Sequence, residues 1–151
     1  METIKVFTAL AAVVLLSQWS VLAKAAGEIT NPQAIGGPHE CSARWYPRSA
    51  VQHGVEGYVG VSFDIETDGA VTNVAVVQSS GSLELDGAAE ACVSKFRYQP
   101  AKRDGSAIKV PWVTVVIFCI SRECWSGASE TAQAIIKAHA VDIHDLKSPA
   151  S

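Results

Sequence analysis

Charged residues are scarce in this sequence: only 18% of its 151 residues are Asp, Glu, Lys or Arg. Its net charge of -3 argues against nucleic-acid binding driven by phosphate neutralisation. Because 48% of the residues are hydrophobic, the chain is too apolar to be intrinsically disordered. It contains no run of five like charges, no internal repeat and no low-complexity tract. These absences favour one small folded domain.

Motifs that carry catalysis or metal binding are also missing. The sequence has no phosphate-binding G-x-x-x-x-G-K-[ST] loop, no G-x-S-x-G elbow and no C-x2-C pair. His139 and His144 lie close to acidic residues, but their spacing of five puts them on different faces of a helix. We therefore expect no enzyme activity, no cofactor and no metal site.

The longest apolar segment lies at the N-terminus and has the layout of a secretory signal. Lys5 precedes the apolar residues 6–16, and Ala23-Lys24-Ala25 forms a small-x-small cleavage site. We expect residues 1–25 to direct export and to be cleaved before Ala26. An uncut membrane anchor is the alternative, although the apolar stretch is short for a membrane span.

All four cysteines lie beyond this segment, and an even number in an exported chain indicates disulfides. Cys119 and Cys124 are close enough to join the end of a strand to the turn that follows. Cys41 and Cys92 would then close a long loop. Four cysteines permit three pairings, so the other two stay open.

The first part of the exported chain predicts an arm followed by a short helix. Residues 26–43 are rich in glycine and proline, which is typical of a linker arm without regular elements. Pro47 suits the first position of a helix, and Gly54 suits the position just past its end. A helix of about two turns is expected between them.

A hairpin is predicted next. Residues 58–66 alternate between apolar and polar side chains, as a half-buried strand does. Asp68-Gly69 favours a two-residue turn in which both positions have positive φ. The valine-rich residues 71–78 form the return strand.

A helix from about Gly87 to Phe96 is predicted after the hairpin, with Asp86 as its N-cap. The last strand spans residues 108–120. Because Pro111 cannot donate to a ladder, this strand is expected at an edge of the sheet.

The C-terminal residues 121–151 predict a helix capped by Ser129, with apolar residues along one stripe. The resulting order is helix, strand, strand, helix, strand, helix. This order predicts an α+β domain with helices on one face of a small sheet.

A set of short motifs spans residues 44–120, about half the chain, and their order is more informative than any one of them. They are Tyr46-Pro47 with Ala50, Val55-Glu56-Gly57-Tyr58-Val59, Phe63-Asp64-Ile65, Asp68-Gly69, Val71-Thr72-Asn73-Val74, Ser79-Ser80-Gly81, Leu85-Asp86, Ala88-Ala89, and Phe96-Arg97-Tyr98-Gln99-Pro100-Ala101 with Gly105. Together they resemble the C-terminal domain of TonB, the energy transducer of bacterial outer-membrane transport.

The resemblance implies a three-stranded antiparallel sheet backed by two helices, with the last strand at an edge. In the family, that edge accepts a short extended segment, the TonB box, from an outer-membrane receptor. Main-chain hydrogen bonds supply affinity in such strand addition, and alternate side chains supply selection. The expected partner-binding residues are Val113, Thr114, Val115, Val116, Ile117 and Phe118.

We therefore expect a periplasmic protein-binding domain that docks on an outer-membrane receptor or another envelope protein. Membrane contact is expected only if residues 1–25 stay uncut, and mutual pairing of edge strands would permit a homodimer. The family's transducers carry a long Pro-rich spacer between anchor and domain and a functional histidine in the anchor. Residues 26–43 contain no such spacer and residues 1–25 contain no histidine, and both departures argue against energy-coupled transport. A free periplasmic binding or scaffold module without an energy-transducing role is therefore the alternative.

Overall fold

The computed structural model describes residues 27–41 and 43–146. In chain order its elements are β1 (Ile29–Thr30), β2 (Gln33–Ala34), a first 3-10 helix (Ala43–Trp45), α1 (Arg48–Gln52), β3 (Gly57–Ile65), β4 (Val71–Gln78), α2 (Leu83–Val93), β5 (Tyr98–Gln99), β6 (Ala101–Arg103), β7 (Ser106–Ile108), β8 (Val110–Phe118), α3 (Arg122–His139) and a second 3-10 helix (Ile143–Asp145). The predicted export segment lies outside the described residues. Within these two ranges, no helix is long and apolar enough to cross a membrane.

The central sheet has three antiparallel strands in the order β4, β3, β8. The register between β3 and β8 is unbroken, from Gly57 opposite Phe118 to Ile65 opposite Val110. In the described residues β8 has a strand on one side only, so it lies at an edge, as Pro111 indicated. The predicted α+β fold with a three-stranded antiparallel sheet is confirmed.

The hydrophobic core lies on the face of the sheet that α1 and α2 cover. Alternate residues of β3 are buried there because successive side chains of a strand point to opposite faces. These residues are Val59, Val61, Phe63 and Ile65. From α2, Leu85, Ala89 and Val93 are completely buried, and α1 contributes Ala50. Each fully buried aliphatic side chain stabilises the fold by about 1.5–3 kcal/mol.

The C-terminal helix α3 packs on the opposite face of the sheet. Gly60, whose neighbours in β3 point into the core, leaves room there for Ile135. The prediction that Ser129 caps this helix is wrong, because α3 begins at Arg122 and the Ser121 side chain accepts the Cys124 N–H at 3.2 Å. The eight extra residues, 122–129, include a half-cystine and a glycine, which obscure the helical pattern.

The two Asp-Gly dipeptides form different turns. At Asp68-Gly69 only the glycine has positive φ, and the Glu66 carbonyl accepts the Gly69 N–H at 2.9 Å. The predicted two-residue turn is therefore wrong there, and a longer loop joins β3 to β4. At Asp104-Gly105 both residues have positive φ, 51° and 84°, and this dipeptide makes the two-residue turn between β6 and β7.

Helix α2 begins at Leu83 with Ser82 as its N-cap, so the prediction of Asp86 as the cap is wrong. Asp86 lies inside the helix, where its carboxylate accepts hydrogen bonds from Ser79 and Ser80. Burial alone would raise the pKa of Asp86, but these donors hold it below its usual value. The carboxylate fixes the preceding serine loop to the helix.

The prediction of an arm without regular elements is wrong. Strand β1 pairs with β6, and β2 pairs with β5, so the arm lies along residues 98–103. Strands of two residues show no alternation in sequence, and their pairing depends on tertiary contacts. The predicted strand 108–120 is also shorter in the structure, where β8 ends at Phe118 and β7 ends at Ile108.

Two disulfides join these elements, with Cys41 bonded to Cys92 and Cys119 bonded to Cys124. This is the pairing that spacing favoured. The first ties the arm to α2 with a Cα–Cα distance of 5.9 Å, and the second ties the end of β8 to α3 at 5.5 Å. The chain then returns to the core, where Ile143 is buried and Arg103 donates to the Leu146 carbonyl.

Candidate functional site

The outer edge of β8 carries the predicted binding residues 113–118. Strand β3 has a neighbour on each side, whereas β8 pairs only with β3 among the described residues. A strand at an edge presents unpaired N–H and C=O groups, which can accept another extended segment. The position of β8 thus makes its backbone available for pairing.

Two observations fix which residues of β8 point their backbone outward. In an antiparallel sheet, alternate residues of a strand bond to opposite neighbours. Glu66 directly follows β3, and its N–H donates to the Ala70 carbonyl on the β4 side at 2.8 Å. The backbone groups of the even-numbered residues of β3 therefore face β4. Odd-numbered positions therefore bond to β8, and the unbroken register pairs them with the even-numbered residues of β8. Pro111 agrees with this assignment, since it has no N–H to give to β3.

The six predicted residues accordingly divide into two sets. Thr114, Val116 and Phe118 bond to β3, while Val113, Val115 and Ile117 present their backbone groups outward. The side chains of Val116 and Phe118 are 4% and 1% exposed and belong to the core. The outward set carries the main-chain donors and acceptors of the edge.

A groove runs beside this edge and encloses about 220 Å³. Residues 114–117 form its floor, and side walls come from two segments on opposite faces of the sheet. The lining residues outside β8 are His39, Glu40, Cys41, Phe96 and Trp125. Because the groove follows the unpaired backbone, a segment added to β8 would pass between these walls.

The arm supplies the wall on the core face. The His39 ring stacks on Phe96 with 4.5 Å between centroids, and it meets Tyr98 edge-on at 4.9 Å. Its Nε2 atom lies 2.6 Å from the Arg97 carbonyl oxygen. These contacts and the disulfide of Cys41 hold the arm in place beside the groove. Burial raises the pKa of Tyr98 to about 12, so this packed ring stays neutral.

Helix α3 supplies the opposite wall through Trp125, whose side chain is 57% exposed. The Glu56 carboxylate accepts the N–H groups of Ile120 and Ser121 and the Ser121 hydroxyl. These donors, the Ser121 N–H first, lower the pKa of Glu56. Together with the disulfide of Cys124, they fix the start of α3 beside the end of β8.

Sequence reasoning did not identify Trp125 or His39 as parts of this site. Both lie outside β8 and reach it only through tertiary packing. One signal was available for Trp125, since it directly follows a half-cystine that spacing joined to the end of the strand. His39 carried no comparable signal.

Metal-ligating side chains do not gather in the part of the chain that the structure describes, where no three of them form a group that could hold an ion. His139 and Val141 line a separate cavity of about 150 Å³ beside Trp112 and Val113. His144 lies in the second 3-10 helix, where its N–H donates to Asp142.

Residues 42–118 match the model of the C-terminal domain of Gram-negative bacterial TonB proteins. The chain belongs to the TonB C-terminal domain family. The match covers about half the chain and ends with β8, so α3 and Trp125 lie beyond the family pattern. The earlier resemblance is thereby confirmed for residues 42–118.

Curated relatives agree with this assignment. The chain is 35% identical over 86 residues to Protein tonB2 of Pseudomonas aeruginosa, covering 57% of this chain and 32% of the relative. It is 33% identical over 63 residues to Protein TonB of the same species, covering 42% and 18%, and 37% identical over 60 residues to Protein TonB of Xanthomonas campestris pv. campestris, covering 40% and 27%. The chain thus spans less than a third of the length of these relatives.

A solution NMR structure of the Pseudomonas aeruginosa TonB CTD aligns with 67% of this chain and 93% of its own. The TM-score is 0.42 and the sequence identity is 24%.

Proposed function

We propose that this chain is a periplasmic, non-enzymatic protein that docks on an extended segment of an outer-membrane receptor or another envelope protein. The segment pairs with the outer edge of β8, as the family resemblance implies for the TonB box. The observation that carries the proposal is the outward-facing backbone of Val113, Val115 and Ile117, which no described strand covers. Each main-chain hydrogen bond formed there would contribute about 0.5–1.5 kcal/mol.

The part played in energy coupling depends on the N-terminus. An intact N-terminus in the inner membrane would support an anchored component of energy-coupled transport. A chain that begins at Ala26 in the soluble fraction would support the free binding or scaffold module. Mass spectrometry of the protein recovered from fractionated envelopes distinguishes these two roles, and it does not depend on how β8 binds.

Two neighbouring proline substitutions test the docking edge. Proline removes one N–H, and the N–H of Val115 points outward whereas that of Val116 bonds to β3. We expect Val115→Pro to keep the fold and to lose capture of peptides that contain the TonB box segment of outer-membrane receptors. Val116→Pro, as the matched control, should lower the free energy of unfolding because it removes a hydrogen bond of the ladder between β8 and β3.

The measurements are circular dichroism, urea unfolding and peptide pull-down with the chain purified in its oxidised form. A folded Val115→Pro variant that still captures the receptor peptides would refute docking at β8. Size-exclusion chromatography of the wild type and of Val115→Pro shows whether either chain forms a dimer. A dimer that the substitution dissociates would show that β8 pairs with a second copy of the chain.

A further inference from the structure

The two walls of the groove beside β8 differ in polarity. On the face of α3, the wall consists of Trp125 and the odd-numbered residues Val115 and Ile117, all apolar. On the core face, Cys41 and Phe96 line the groove together with three polar residues, Thr114, His39 and the exposed Glu40. The α3 wall is thus apolar, whereas the core-face wall also carries polar and charged groups.

A strand added to β8 would place its side chains alternately against these two walls. Successive residues of a strand point to opposite faces of the sheet, so every second side chain would lie on the face of Trp125 and the nearest of them would contact its ring. The residues between them would lie on the face of His39 and Glu40. The groove therefore distinguishes segments by the order of their side chains as well as by composition.

We infer that the segment docking on β8 is an amphipathic strand whose apolar residues face Trp125 and whose polar residues face His39 and Glu40. This inference rests on the proposed function and adds the partner's side-chain pattern to it. A mismatched order would place apolar groups against Glu40 or polar groups against the indole ring. Trp125 is then a specificity-determining residue, and it belongs to a helix outside the family match.

The size of the groove agrees with side chains as its occupants. Its volume of about 220 Å³ is below the roughly 300–1,000 Å³ usual for small-molecule pockets. It is also far larger than the roughly 30 Å³ that one water molecule occupies. The open edge beside it supplies the backbone partners that an extended segment requires and that a compact ligand would leave unused.

Two peptides of identical composition test the pattern. In the first, valine and threonine alternate; in the second, the valines and threonines form two separate blocks. Fluorescence anisotropy of the labelled peptides gives the ratio of their dissociation constants for the wild-type chain. We expect the alternating peptide to bind about five- to tenfold more tightly, because only it keeps all its apolar residues on one wall.

Trp125→Ala should bring this ratio towards one, whereas Ile136→Ala should leave it unchanged. Ile136 is an apolar residue of the same helix, 39% exposed, and does not line the groove. Trp125→Leu keeps an apolar wall and should retain most of the ratio. Circular dichroism of each variant verifies that α3 is still formed.

The failure of this inference is distinguishable from the failure of docking. A wild-type ratio near one, or a ratio that Trp125→Ala leaves unchanged, would overturn the inference while Val115→Pro still abolished binding. An alternating peptide that fails to bind a chain able to capture receptor peptides would overturn it too. A wild-type chain that bound neither the receptor peptides nor the alternating peptide would contradict the proposed function itself.

Discussion

The Tyr58 hydroxyl donates a hydrogen bond to the backbone carbonyl of Cys124, which joins the central strand β3 to the first turn of α3. Tyr58 lies on the face of β3 that points away from the core, and Trp125 is the residue that follows Cys124. The same contact that attaches the extra helix therefore sets the position of one wall of the groove. Anchoring of α3 and the shape of the groove beside β8 are coupled through this pair.

Tyr58→Phe should weaken this attachment without changing the core. The variant leaves one carbonyl at the start of α3 without its donor, so we expect a loss of about 1 kcal/mol in the free energy of unfolding. Urea denaturation measures this loss. Tyr46→Phe is a matched control, since its hydroxyl bonds to the Val55 carbonyl at 2.8 Å on the core side. Only Tyr58→Phe should also reduce the preference for the alternating peptide.

Glu56→Gln should change how stability depends on pH. The Ser121 and Ile120 N–H groups and the Ser121 hydroxyl lower the pKa of Glu56 in the folded chain. Because the folded pKa lies below the unfolded value of about 4.3, this stabilisation is complete above that value and is lost as pH falls through the folded pKa. The stability difference between wild type and variant should thus be constant at neutral pH and should shrink as pH falls below the unfolded value of about 4.3.

Urea unfolding at several pH values measures this difference directly. Other carboxylates with lowered pKa values, such as Asp64 and Asp86, titrate in both proteins and cancel in the comparison. A constant difference across the range would mean that the Glu56 carboxylate makes no net contribution through its charge.

The sheet and its edge could be predicted because their signals are local. Alternation along β3 and the missing N–H of Pro111 each depend on a few neighbouring residues. The start of α3 could not be placed, since Gly127 disfavours a helix and the link from Cys119 to Cys124 was expected to close a turn. Strands β1 and β2 have two residues each and owe their existence to pairing with residues 98–103.

The backbone of the candidate site was predictable, whereas its walls were not. The residues of β8 follow from the family motifs and the edge argument. His39 lies 71 residues before the start of β8 at Val110, and its place beside that strand depends on stacking with Phe96. Trp125 reaches the groove only because α3 covers the second face of the sheet.

Gly60→Ala should disturb the packing of α3 on the sheet. An added Cβ would lie 2.7 Å from Cγ2 of Ile135 and 2.8 Å from Cβ of Gln78. Neither distance is tolerable, so we expect a loss of about 1–3 kcal/mol from overpacking, measured by urea denaturation. Gly87→Ala is the control, because its Cβ would meet nothing within 4 Å on α2 and should raise stability by about 0.5–1 kcal/mol.

Combining Gly60→Ala with Ile135→Ala tests whether the helix is the cause. Removing the Ile135 side chain relieves one of the two close contacts, so the double variant should lose less than the sum of the single losses. Strict additivity would instead place the strain at Gln78 and the neighbouring strand β4.

The two disulfides should contribute unequally to stability. Cys41 and Cys92 are 51 residues apart, whereas Cys119 and Cys124 are only five apart. In the chain-entropy description, the long loop stabilises the fold by about 4 kcal/mol and the short loop by about 2 kcal/mol. Two double variants, each with both cysteines of one pair replaced by serine, allow the two contributions to be compared by urea unfolding. Equal losses would contradict that ordering, because they would require the short disulfide to act through the native packing of α3 rather than through the unfolded chain.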